Sequence, residues 1–178
     1  MVRQAMLKVA GWIDALNEGV GRILILLLPF VILVAACVVV LRYVFHIGFP
    51  WMTETFIWLN GLIVALGSGY VLKDEKHVRV DVLFKDFSPR GKALVNALGV
   101  LILLWPALYV LSQFAWPFAM RSIRMGEASP TAGGLPAIYV LKGSVLAFCL
   151  LCGLQGLALL LRSLDTMIHG SNKSGVHV

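Results

Sequence analysis

Charge is scarce in this sequence. Asp, Glu, Lys and Arg make up 13% of its 178 residues, against roughly 25% in ordinary soluble domains. Ionisable groups placed inside a membrane span are costly and usually functional, and the long apolar runs here contain essentially none. All four histidines (His46, His77, His169 and His177) fall outside those runs. A haem-carrying bundle needs axial ligands within its helices, so a cytochrome b-like protein is excluded. There is no paired carboxylate, no Walker loop and no H-E-x-x-H motif. Small exporters built around one buried carboxylate fit poorly, because Glu54 sits at the edge of a run. Cysteine is sparse as well. Cys149 and Cys152 form a C-x-x-C among Leu, Phe and Gly, next to which only Cys37 remains. A thiolate is poorly solvated in such surroundings, and the pair reads as two small packing residues. No metal, no cofactor and no enzymatic activity are expected.

What the chain has is apolar length. Hydrophobic residues make up 60% of it, above the roughly 45–50% of soluble domains. Four uncharged stretches, 23–41, 56–72, 93–120 and 143–161, reach or approach the length of about 18 residues that reads as a span. The fold class expected is an all-α integral membrane protein: one domain over 1–165, with spans at about 23–45, 52–73, 91–120 and 137–161. Residues 166–178 read as a flexible cytoplasmic tail. No A-x-A-like site follows the first run, so a retained helix is expected rather than a cleaved signal.

The net charge of +6 does not point to nucleic acid, because of where it lies. Eleven basic residues fall in the N-terminal segment, the middle loop and the tail; the two other loops hold four, Arg42, Arg121, Arg124 and Lys142. The positive-inside rule then puts both termini in the cytoplasm.

Residues 3–22 carry Met6, Val9, Ile13, Leu16 and Val20 at helical spacing, with Arg3, Lys8, Asp14 and Glu18 at other positions. This pattern predicts a separate amphipathic helix on the cytoplasmic surface. Arg42 and Tyr43 close the first span as a snorkelling cation and an interfacial aromatic. Trp51 leads into the second span, where Thr53 and Glu54 are placed to cap the helix. Gly61, Ala65 and Gly69 recur every four residues, a small-residue face that must meet another helix of this chain or of a partner. Val78, Val80, Val82 and Phe84 alternate with polar residues in the middle loop. Ser88-Pro89 starts the third helix, and Pro106 and Pro117 predict kinks in it. Gln155 requires a polar partner within the last span.

In order along the chain, Arg42-Tyr43-Val44-Phe45, Trp51 with Glu54, His77-Val78-Arg79-Val80-Asp81, Gly126-Glu127-Ala128-Ser129, Gly133-Gly134-Leu135-Pro136 with Lys142, and Leu154-Gln155-Gly156 resemble the small membrane subunit (DctQ type) of tripartite ATP-independent periplasmic (TRAP) transporters. The family often carries two adjacent acids where this chain has Thr53-Glu54. The resemblance covers nearly the whole chain. It implies an inner-membrane subunit in a heterodimer with a large elevator-type transport subunit, a periplasmic substrate-binding protein as third component, and symport of organic acid anions. It also implies no substrate or cofactor site here. Arg42 and Glu54 are candidates for a pair at the outer interface. Arg79 and Asp81 are candidates for fixing the middle loop, and Arg121, Arg124, Glu127 and Lys142 for meeting the binding protein. Snorkelling or local pairing is the alternative for each. Two other classes stand beside this one: a cofactor-free helical subunit of a membrane redox or enzyme complex, and a self-assembling pore.

Overall fold

The computed structural model describes residues 2–73 and 88–169. Within them the chain is helical, with no strand. Four helices are long and apolar enough to cross a membrane. They are α1 (Val2–Tyr43), α2 (Pro50–Lys73), α3 (Pro89–Met125) and α4 (Ile138–His169). The middle-loop residues His77, Arg79 and Asp81, and the alternating Val78–Phe84 segment, lie outside the described residues.

The first helix corrects one expectation. Residues 3–22 do not form a separate surface helix; they are continuous with the first span in one helix of 42 residues. At 1.5 Å per residue this is about 63 Å, twice the roughly 30 Å hydrocarbon core. The side of it that packs is Ala10, Ile13, Asn17, Gly21 and Leu24. That stripe runs unbroken through the expected junction, and no proline interrupts it. Val9 and Leu16, counted on the expected apolar face, stay 47% and 48% exposed. The expected apolar face therefore meets the packing side fully only at Ile13. Ala10, Asn17, Gly21 and Leu24 make the rest of the contact.

The last helix is the hub. α4 packs on α1, α2 and α3, whereas α3 packs extensively on α4 alone. Accordingly 33% of the most apolar window of α4 is buried, against 6% for α1 and for α2 and 17% for α3. The result is an open slab, α3 on one flank of α4 and the α1–α2 hairpin on the other. α2 runs parallel to α4, and α1 and α3 run antiparallel to it. Both described ends, Val2 and His169, lie at one end of the slab. We call it the terminal end, and the opposite one the loop end. At the terminal end, beyond the end of α2, Ala10 and Ile13 of α1 meet Ala158 of α4, with Leu154, Leu157 and Leu161 around them.

Local chemistry explains the helix limits. Pro50 occupies the first turn of α2, so the helix begins one turn before Thr53 and Glu54, which leaves Glu54 free for another task. Ser88 Oγ accepts the Gly91 N–H and Pro89 follows it, an N-cap with proline where a missing N–H costs nothing. α3 is not α-helical throughout: Gly99–Leu104 is a π turn, in which the Trp105 N–H reaches back to the Val100 carbonyl. Pro106 follows at once. It lacks an N–H and its ring crowds the carbonyl four residues back, and a wider turn relieves that crowding. The π turn presses Leu104 and Trp105 against α4 at Gly156, and Trp105 Nε1 donates to the Gly153 carbonyl at 3.4 Å. α3 ends on Gly126, whose φ of 57° is left-handed. Its N–H bonds to Ile123 and the Glu127 N–H to Ser122, a Schellman closure. α4 continues to His169, so residues 166–169, read above as tail, are helical.

Candidate functional site: polar clamps at both ends of an apolar slab

At the loop end, the carboxylate of Glu54 reaches from α2 into the connection between α3 and α4. It accepts hydrogen bonds from Ser129 Oγ and from the Leu135 N–H, the latter at 2.7 Å. The connection is folded to receive it. Ser129 N–H donates to the Leu135 carbonyl at 2.9 Å, and Gly134 N–H to Thr131 at 2.9 Å. Gly134 lies directly beneath the carboxylate. A Cβ on it would stand 2.7 Å from both Glu54 oxygens and 2.8 Å from Ser129 Cβ, so only glycine fits. Glu54 therefore ties α2 to the segment before α4.

Beside it, Lys142 Nζ bonds Glu127 at 2.5 Å and lies 4.3 Å from the centre of the Phe118 ring. α3, the connection and α4 are thereby joined to one another. The ammonium of Lys142 holds the Glu127 carboxyl below its ordinary value of 4.5. A depressed carboxyl contributes stability that is fully present above the ordinary value and is lost as pH falls through the lowered one. Glu127→Gln is therefore expected to lower the thermal midpoint at pH 7, with the difference from the parent chain shrinking as pH falls below 4.5 and through the lowered value. A difference that persists there unchanged would assign the effect to something other than the ion pair.

At the terminal end, a chain of side-chain bonds joins α1 to α4. Asn17 Nδ2 donates to Gln155 Oε1 at 2.7 Å, Gln155 Nε2 donates to Asp14 at 2.9 Å, and Arg162 completes the chain on the other oxygen of Asp14. Asn17 and Gln155 are both 0% exposed. The third helix at this point, α2, contributes Gly69. A Cβ there would overlap Asn17 Oδ1 and stand 3.2 Å from Leu151 Cβ. One turn on, Glu18 of α1 receives Lys73 of α2 at 2.5 Å and also Arg22. Arg3 and Asp165 pair at 2.8 Å farther out.

The remaining singled-out residues fall as follows. Arg42 does not pair with Glu54. It lines a surface cleft with Ile47, Phe49, Met52 and Thr53, while Tyr43 stays 72% exposed. Trp51, on the first turn of α2, stands 6.2 Å from the Phe49 ring. Of the small-residue face, Gly61 approaches Leu141 of α4 and Gly69 approaches Asn17 and Leu151, with Ala65 half-buried between them. Pro136 is exposed just before α4 begins. Gln155 has its polar partners. Sequence reasoning passed over Asn17, and gave Asp14, Arg162 and Ser129 no partner of their own. Asn17 carried a usable signal, since it lies four residues from Ile13 and from Gly21 on a stripe that continues into the span. Ser129 carried none beyond its place in a motif. Among the described residues no group of His, Cys, Asp and Glu is arranged to hold a metal.

One family model matches this chain: Tripartite ATP-independent periplasmic transporters, DctQ component, over residues 31–166. No curated protein and no solved structure matches it. The matched stretch holds all of the loop-end clamp, and at the terminal end Gly69, Gln155 and Arg162 but not Asp14 or Asn17.

Proposed function

Because the chain belongs to the DctQ family of TRAP transporter components, and so to a membrane-embedded transport machinery, we propose that it acts as a scaffold: it braces the large elevator-type subunit of a secondary-active importer of organic acid anions. One observation carries this reading. Polar clamps tie α2, α3 and α4 together at the loop end and α1, α2 and α4 at the terminal end, yet the flanks are uncovered, with α3 packed extensively on α4 alone. A protein that moves needs loose ends; a brace needs fixed ends and faces available for packing. In lipid such faces associate through close van der Waals fit rather than hydrophobicity. Trp105, Tyr109 and Trp116 line the open groove of about 570 Å³ between α3 and α4, a surface suited to a partner helix.

In this reading the protein lies in the bacterial inner membrane with both termini in the cytoplasm. The basic residues concentrated at the terminal end support that orientation. The loop-end clamp then faces the periplasm, where Arg121 and Arg124 are available to the substrate-binding protein. Arg79 and Asp81 are the candidates for securing the middle loop against the large subunit or this chain's own helices. The substrate does not touch this chain.

The test is co-purification in mild detergent with the large membrane protein encoded beside it, tagging only this chain. A one-to-one complex that supports uptake in liposomes, when the periplasmic protein is added, is the expected result. Purification as a homo-oligomer without the large protein would overturn the scaffold reading.

A further inference from the structure

We propose that the cleft between the first turns of α3 and the last turns of α4 binds the phosphate of an anionic phospholipid, in the leaflet at the terminal end. The cleft has a volume of about 270 Å³, and Lys92, Asn96, Arg162, Ser163 and Thr166 supply its polar lining. No carboxylate lines it. Among the described residues none lies within ion-pair distance of Lys92, whereas Lys73 and Lys142 are each matched to a glutamate. Arg162 gives one nitrogen to Asp14, yet its side chain remains 39% exposed. A guanidinium has five donors in a planar fork, so it can hold Asp14 on one edge and a phosphate on the other. The Asn96 amide and the Ser163 hydroxyl add neutral donors beside the two cations.

Depth selects the source of that phosphate. The uncharged run of α4 ends at Leu161, one residue before Arg162, and that of α3 begins at Ala93, one residue after Lys92. The cations of both helices therefore stand at the level where apolar surface gives way to headgroups. Ala93 and Leu159 floor the cleft, and Leu94, Leu98 and Leu101 lie exposed on α3 beyond it, a path for acyl chains. Basic clefts between helices at this depth suit anionic headgroups. The proposal rests on the chain spanning a bilayer and not on the brace reading.

The full chain would be purified in neutral detergent and examined by native mass spectrometry with added phosphatidylglycerol, phosphatidylcholine or inorganic phosphate. Retention of phosphatidylglycerol over phosphatidylcholine is expected, with Lys92→Gln lowering it about fivefold, the factor one basic residue contributes near an anionic surface. Lys92→Arg is expected to restore it, and Lys8→Gln, an exposed basic site on α1, to leave it unchanged. Equal retention of the two lipids, or equal loss in Lys92→Gln and Lys8→Gln, would overturn the proposal. So would inorganic phosphate displacing phosphatidylglycerol at equal concentration, which would make the cleft a site for a free anion.

Discussion

Gly69→Ala is expected to lower the thermal midpoint of the detergent-solubilised protein, whereas Gly67→Ala, half a turn away on the same helix, is expected to leave it unchanged or raise it. Both substitutions add one methyl group and gain about 1 kcal/mol of helix propensity. At Gly67 the methyl meets Leu24 Cδ1 at 3.5 Å, an ordinary contact. At Gly69 it collides with the Asn17 amide and presses on Leu151. Overpacking of this kind costs about 1–3 kcal/mol. Displacing Asn17 also breaks its bond to Gln155, worth about 0.6 and at most about 1.7 kcal/mol between membrane helices. The collision and the lost bond together outweigh the propensity gain, so a net loss of about 2 kcal/mol follows. Asn17→Ala added to Gly69→Ala is expected to recover part of that loss, because it removes the obstructing group. Equal midpoints for the two alanine variants would mean that α2 does not meet α1 and α4 as closely as described.

Glu54→Ala is expected to speed amide exchange at Leu135 by about ten- to a hundredfold. That range follows from the roughly 1.5–3 kcal/mol of a hydrogen bond to a charged acceptor. Gly134→Ala should give the same result without touching the acid, since its methyl would occupy the place of the carboxylate. Glu54→Gln should fall between the parent and Glu54→Ala: its amide oxygen can accept one of the two bonds, but its NH2 faces the other donor. The helices themselves should melt nearly as before, because α4 holds α1, α2 and α3 through contacts along their length. If the Leu135 amide exchanges at the parent rate in Glu54→Ala, the connection before α4 is held by its own turn and not by α2. Uptake by the assembled transporter separates the two roles open to this clamp. A loss of transport with assembly intact would place the ordered connection at the binding protein's docking face.

The four spans were legible because length and lack of charge are properties of single segments. So were the start of α3 at Ser88-Pro89 and the disturbance before Pro106, each written in one or two residues. The need of Gln155 for a partner was readable, but not the identity of that partner. Glu54, Ser129 and Gly134 stood out in separate motifs, yet nothing local brings residues 54, 129 and 134 together. The charge on Arg42 made it the nearer candidate for Glu54, while the observed donors are a hydroxyl and a backbone N–H. Neither carries a charge for a sequence reading to follow. The reading of residues 3–22 failed for a related reason. Apolar periodicity marks a face averse to water, and in a membrane protein lipid satisfies that as well as protein does. Packing in lipid is marked instead by Ala10, Asn17 and Gly21, which a search for bulky apolar residues overlooks.

The order in which the ribosome delivers these helices has a consequence. The hub is synthesised last, so α1, α2 and α3 enter the bilayer before the surface that α3 packs on exists. The α1–α2 hairpin can form at once, joined by Glu18 and Lys73, but α3 must wait in lipid as a lone helix. Asn17 meanwhile has no Gln155, and Glu54 has neither Ser129 nor the Leu135 amide. Maturation of this subunit is therefore a single late event, in which the arrival of α4 closes both clamps and gathers α3 at one stroke. A nascent chain stalled before residue 138 would be inserted but unassembled, with its polar groups open to membrane quality-control proteases.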